Sequence, residues 1–196
     1  LLTELGDTLL ATGQVAPAEQ AYRSALQRAP GHLSAILGWQ ALLQQQQRWG
    51  ELITACEDEA ESCEAPQLAA DAWMRAAQTA QQQLGDLDGA ARRYERALHL
   101  QPSHPQAFAQ LAALLRDRAQ WDELADLIRT QISLTASDLT AARLLTELGR
   151  IQLEQLGEPQ QAEACLRRVN EIDPNNLYAL LTRGEIYYQR REWRRA

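Results

Sequence analysis

Apolar positions along the chain recur at helical spacing. In Ala90-Ala91-Arg92-Arg93-Tyr94-Glu95-Arg96-Ala97-Leu98, residues 90, 94, 97 and 98 fall on one face of an α-helix and the arginines fall opposite. The pattern predicts a helix packed on one side only. The helix before it, around Trp73 to Leu84, is expected to stop at Gly85, which takes the left-handed conformation a C-cap needs. Asp86 then offers an acceptor to the free N–H groups of the next helix. Similar punctuation stands at Leu156-Gly157-Glu158-Pro159, where proline suits a first helical turn because its missing N–H has no partner there anyway. Pro30-Gly31-His32, Pro102-Ser103-His104-Pro105 and Pro174-Asn175-Asn176 end one helix and begin another. Helices joined by such short connections lie antiparallel and side by side.

The same marks return at a fixed distance. Gly13, Ala18, Tyr22, Ala25 and Pro30 recur as Gly85, Ala90, Tyr94, Ala97 and Pro102, then as Gly157, Ala162, Leu166, Val169 and Pro174, a step of 72 residues each time. A second series alternates with the first: Trp49, Glu51 and Leu52 return as Trp121, Glu123 and Leu124, and Trp121 returns as Trp193, again 72 residues on. Self-similarity of this kind marks a repeat architecture, in which no unit covers its own apolar face and stacked neighbours share one core. Small residues at Ala18, Ala25, Ala90, Ala97 and Ala162 let paired helices approach, and the larger Tyr and Leu residues fill the gaps between pairs.

Composition agrees with helices. Ala and Leu make up about a third of the 196 residues, while Val, Ile and Phe are scarce, which starves strands and excludes an all-β fold. At this length about 70% of the unfolded surface is buried on folding, so neither disulfide nor metal is needed as a staple. All 19 basic residues are Arg, against 26 acidic ones, giving a net charge of −7 and a pI near 5.0. That sign argues against nucleic acid as a partner, because phosphate binding draws on a basic face. No apolar run reaches the ~18 residues that span a bilayer, so no membrane insertion is expected. Leu1 is not Met, and Glu192-Trp193-Arg194-Arg195-Ala196 carries no helix-ending signal, so the sequence reads as a piece of a longer chain; the compartment stays open.

Leu5, Gly6, Leu9, Gly13, Ala18, Tyr22, Ala25 and Pro30, in this order and spacing, resemble the signature of the tetratricopeptide repeat, a helix-turn-helix unit of about 34 residues. The resemblance covers the whole chain as a single domain of six units, approximately 1–32, 33–69, 70–104, 105–141, 142–176 and a truncated 177–196. The second and fourth units lack the Gly, Ala and Pro marks, and the third and fifth carry one extra residue, placed in the helix-to-helix turn. The alternation is similar to that of large bacterial tandem arrays. The resemblance implies an all-α fold, an α-solenoid wound as a right-handed superhelix, whose first helices line a concave groove that holds a protein or peptide partner. Carried onto this sequence, that groove takes Met74, Arg75, Gln78, Gln81, Gln106, Gln110, Arg116, Arg143, Arg150 and Tyr178, with Ser34, Leu37, Gln44 and Tyr188 beside them. Glutamine both donates and accepts, suiting an extended backbone, and arginine forks onto carboxylates. The alternative is that Arg143, Glu147, Arg150 and Glu154 pair among themselves. The Lys/Asn carboxylate clamp of chaperone-binding relatives is absent, as there is no Lys.

Candidate chemistry is sparse. His32 and His104 sit at equivalent loop positions and His99 near a helix C-terminus, all read as loop or cap residues without a catalytic partner. Cys56 and Cys63 are separated by seven positions, about 10 Å along a helix and too far for a disulfide, and Cys165 stands beside core positions. No metal-ligand spacing, phosphate loop or nucleophile elbow occurs, so no cofactor and no metal are expected and the segment is not read as an enzyme. Glu57, Asp58, Glu59 and Glu61 read as a solvated helix face. Trp39, Trp49, Trp73, Trp121 and Trp193 are assigned to packing. The expected function is a non-catalytic scaffold for protein–protein interaction. Alternatives are a regulatory or substrate-recruiting arm of a larger enzyme, and self-association through exposed ends of the stack.

Overall fold

A computed structural model describes residues 1–29 and 31–189. Its helices are α1 (Leu2–Ala11), α2 (Val15–Arg28), α3 (Leu33–Gln45), α4 (Trp49–Ser62), α5 (Pro66–Thr79), α6 (Leu87–Leu100), α7 (Pro105–Asp117), α8 (Trp121–Leu134), α9 (Asp138–Glu154), α10 (Pro159–Ile172) and α11 (Leu177–Gln189). A single π-helical turn, Ala80–Leu84, prolongs α5. No strand occurs among the described residues. Pro30 and Trp193 lie outside the described residues, as does the second helix expected for the last unit.

The chain forms two compact units, Leu1–Leu111 and Ala112–Ala196, with the boundary inside α7. In the first, α1 packs on α2, α3 on α4 and α5 on α6, and each pair touches the next through α2 with α3 and α4 with α5. In the second, α8 packs on α9, α9 on α10 and α10 on α11. The fold is all-α, and within each unit helix follows helix in chain order, the arrangement of an α-solenoid.

The alanines expected to permit close approach are buried: Ala18, Ala90, Ala97 and Ala162 are wholly inaccessible and Ala25 nearly so. The ring of Tyr22, 1% exposed, lies between two glycines of different helices. A Cβ on Gly6 of α1 would stand 2.6 Å from its Cε1, and one on Gly38 of α3 would meet the same atom closer still. Its hydroxyl donates to Asp7 Oδ1 at 2.7 Å. Leu166 fills the corresponding gap at Gly149, where a Cβ would meet it at 3.2 Å.

The hairpin closures share one plan. Gly13, Gly85 and Gly157 adopt φ of +77°, +65° and +66°, the left-handed C-cap conformation expected of Gly85. The glycine-poor series uses the same conformation at Gln47 and Ala119, again 72 residues apart, with φ of +57° and +54°. The amides of Gln14, Arg48 and Gln120 close their turns onto Leu9, Leu43 and Leu115, five residues back. Those of Asp86 and Glu158 reach six residues back, to Ala80 at 3.0 Å and Gln152 at 2.7 Å. The extra residue of the third and fifth units is therefore real, but in the third it is taken up inside the helix as the π turn and not in the loop.

Helix starts are capped by side chains at equivalent positions. His32 Nδ1 accepts from the Ala35 amide at 3.3 Å, His104 Nδ1 from Ala107 at 3.2 Å and Asn176 Oδ1 from Ala179 at 3.1 Å. His104 is 5% exposed, and its Nε2 lies 3.0 Å from Asp71 Oδ1. With Nδ1 accepting, Nε2 carries the proton and donates to that carboxylate. Asp86 accepts from Gly89 at 2.9 Å, as its sequence position predicts.

Candidate partner-binding surface

Helix α5 starts at Pro66, a residue suited to a first turn, and carries five Ala among its 14 residues, so its long side chains stand out from a narrow body. Met74, Arg75 and Gln78 lie on α5 and Gln81 on the π turn that prolongs it, yet they do not share one environment. Met74 is 9% exposed and belongs to the core, a correction to its expected place in an open groove: an unbranched apolar side chain beside Ala76 and Ala77 fills packing space. Arg75 is also less available than expected. Its guanidinium pairs with Glu59 of α4, which is only 7% exposed and also accepts from Gln40 Nε2 at 2.7 Å. Gln40 donates to the Ala55 carbonyl at 3.3 Å as well, tying α3 to α4.

This network corrects the reading of the acidic run as one solvated face. Glu59 is buried, and Glu57 is half-buried against Arg93 Nε of α6 at 2.7 Å, so both carboxylates link neighbouring helix pairs. Asp58 and Glu61 remain exposed. Burial opposes the charge on Arg75, but the hydrogen bond and the charge of Glu59, together with Cys56, outweigh it and hold the guanidinium pKa above its ordinary value. Cys56, 2% exposed, sits in the same region; burial pushes its thiol up to about 11, against the opposing pull of Arg75. Cys56, Cys63 and Cys165 are all free thiols.

Gln81 accepts from the Tyr94 hydroxyl at 2.9 Å through Oε1, leaving its amide N–H groups. Gln78 and Gln110 are partly exposed and Gln106 exposed, as are Ser34, Leu37 and Gln44. In the second unit Arg116 pairs with Glu147. Arg143 and Arg150 are exposed, and Arg143 borders a cavity of about 640 Å³ with Asp138, Thr146, Asp173 and Asn176. Among the described residues, Arg143 and Arg150 enter no ion pair. Tyr178 and Tyr188 are exposed at 37% and 65%.

Two concavities lie where the sequence offers no hint. One of about 590 Å³ is bounded by α2, α3 and α4, with Leu26, Ile36, Trp39 and Ala55 as its apolar floor and Arg23, Asp58 and Glu61 around it. Arg23 and Arg48 both stack on the same ring, their guanidinium carbons 5.1 and 5.6 Å from the Trp39 centroid. Trp39, 8% exposed, is thus a packed residue, as expected, while Trp49, Trp73 and Trp121 are half-buried. The other, about 570 Å³, lies in the second unit between α8, α9 and α10, over Ile132, Leu145 and Leu148, with Arg129, Cys165 and Arg168 beside it. Burial raises the Cys165 thiol pKa despite the opposing charges of Arg129 and Arg168. Each concavity draws on three helices and two hairpins, so no local motif announces it. Among the described residues no His, Cys, Asp and Glu cluster is arranged to hold a metal ion. No described helix is long and apolar enough to cross a membrane.

Residues 1–32 and 142–176 match the sequence model of the tetratricopeptide repeat. No curated protein sequence matches the chain. Among solved structures, the chain is similar to the C-terminal part of a TPR repeat-containing protein from Cytophaga hutchinsonii, with 14% identity, 97% of this chain and 72% of that chain covered, and a TM-score of 0.52. It is similar also to a tetratricopeptide repeat protein from Parabacteroides merdae, with 14% identity, 95% and 71% covered, and a TM-score of 0.50. Signature residues spaced as in the family, a sequence match in two separate stretches, and helix pairs closed by left-handed residues at a constant period all agree: residues 1–32 and 142–176 match the tetratricopeptide repeat, and the fold is similar to that of solved tetratricopeptide repeat proteins.

Proposed function

We propose that the chain is a non-catalytic interaction scaffold that holds a peptide segment or partner subunit against the polar side chains of its first helices. The observation that carries this reading is the set of hydrogen-bonding groups left accessible on those helices. Gln78, Gln106 and Gln110 of the first unit, and Arg143 and Arg150 of the second, present donors on α5, α7 and α9. Amides match both the N–H and C=O groups of an extended chain, and an unpaired guanidinium forks onto a carboxylate. Arg75 and Arg116 are held by Glu59 and Glu147, so they support the scaffold and do not meet the partner.

The test places a photo-reactive phenylalanine analogue singly at Gln78, Gln106 or Arg143, and for comparison at the exposed second-helix residues Glu95 and Arg167, in the full-length chain in its native source. Cross-links to one polypeptide from the first-helix positions, several-fold above the second-helix positions, are the expected result. Equal yields from both sets, or turnover of a substrate that is lost on changing His104 or Cys165, would overturn the reading.

A further inference from the structure

The cavity between α2, α3 and α4 has an apolar floor and a rim whose charges are unequally compensated. Arg23 is already engaged: its guanidinium pairs with Glu19 at 2.8 Å and lies over Trp39. Asp58 and Glu61, three residues apart on α4 and therefore on one face, are exposed and enter no ion pair among the described residues. Their neighbours in the acidic run, Glu57 and Glu59, turn toward Arg93 and Arg75. The rim thus carries two unmatched negative charges over Leu26, Ile36 and Trp39, in a chain of net charge −7.

We infer that this cavity is a second docking site, specific for a segment of a partner protein in which an arginine or lysine stands next to a large aliphatic residue. The aliphatic side chain covers Leu26 and Ile36. The cationic head meets Asp58 and Glu61, while its methylene stem lies along the apolar floor. About 590 Å³ accommodates two such side chains together. The site rests on the scaffold reading but lies on other helices than the glutamine-bearing α5 and α7 face, so the two are separable.

The probe is a fluorescein-labelled nonapeptide of alternating leucine and arginine, with a second peptide carrying glutamate for every arginine. Fluorescence polarisation against the full chain is expected to show binding of the basic peptide only, weakening as salt rises. Asp58→Asn/Glu61→Gln, at exposed positions, is expected to lower affinity about fivefold or more. Glu95→Gln/Glu171→Gln removes the same charge elsewhere and is expected to change it less than twofold. Leu26→Ala weakens binding without altering its salt dependence. Equal loss in both charge variants, equal binding of the acidic peptide, or no binding of the basic one would each overturn the inference. In the last case cross-linking from Gln78 and Gln106 still decides the first-helix reading. Loss in a Gln78→Ala/Gln106→Ala variant, with Asp58→Asn/Glu61→Gln silent, would assign the peptide to the first helices and remove this site.

Discussion

Replacing Glu59 by Ala isolates the energetics of the buried network. Glu59 is 7% exposed and accepts from both Arg75 and Gln40, so its loss strands a guanidinium whose Nε already lacks a partner and an amide donor pointed at the vacated space. Breaking a fully buried ion pair by removing one partner costs about 3–5 kcal/mol. The Arg75 side chain is 41% exposed and regains part of its hydration, which lowers the expectation to about 2–3 kcal/mol. Glu59→Leu combined with Arg75→Met removes both charges and is expected to stay within about 1 kcal/mol of the parent. Urea unfolding followed by far-UV circular dichroism and tryptophan fluorescence measures both. With a slope of about 2 kcal/mol/M, Glu59→Ala lowers the midpoint by about 1–1.5 M. Agreement of the two probes guards against unequal melting along a repeat chain. A single variant within about 0.5 kcal/mol of the parent, or a double variant as unstable as the single, would refute the reasoning.

Gly38→Ala is expected to destabilise by about 1–3 kcal/mol although alanine favours helix, because the added methyl meets the rigid Tyr22 ring. Gly50→Ala, with open space around it, is expected to raise the melting temperature, and equal behaviour of the two would exclude the ring as cause. Gln47→Gly and Ala119→Gly relieve left-handed backbone and are each expected to stabilise by up to about 1 kcal/mol, while Gly85→Ala loses about as much; denaturation midpoints check all three. At alkaline pH, Cys56 remains protonated in the folded chain up to about 11 but ionises near 9 once unfolded. Its contribution to stability is therefore intact below pH 9 and lost as pH rises through 11. Cys56→Val is expected to flatten the unfolding midpoint over that window, and an unchanged slope would clear the thiol.

The helix pairs, their closures and the close-packed alanines were legible because each is encoded locally. A one-sided apolar pattern, a glycine after a helix and Asp86 before the next act within a few residues. Their recurrence at 72 multiplies the signal. The π turn escaped because three consecutive glutamines fit an α-helix and a loop equally well. Glu59 escaped for the opposite reason. Its neighbours in sequence are acidic and look solvated, and burial depends on Gln40 and Arg75, 19 and 16 residues away on other helices. Met74 and the two concavities likewise follow from how hairpins meet, which spacing within one helix does not contain.

The surplus residue held in the Ala80–Leu84 turn gives this hairpin a reversible length. Gln81, Gln82 and Gln83 are chemically alike, so omitting one of them would leave the local side-chain chemistry almost as it was, let the turn tighten to ordinary α-helical winding, and keep Gly85 and Asp86 in position for the bend. A tandem chain built this way tolerates a codon gained or dropped at that point without shifting the frame in which its bricks are laid.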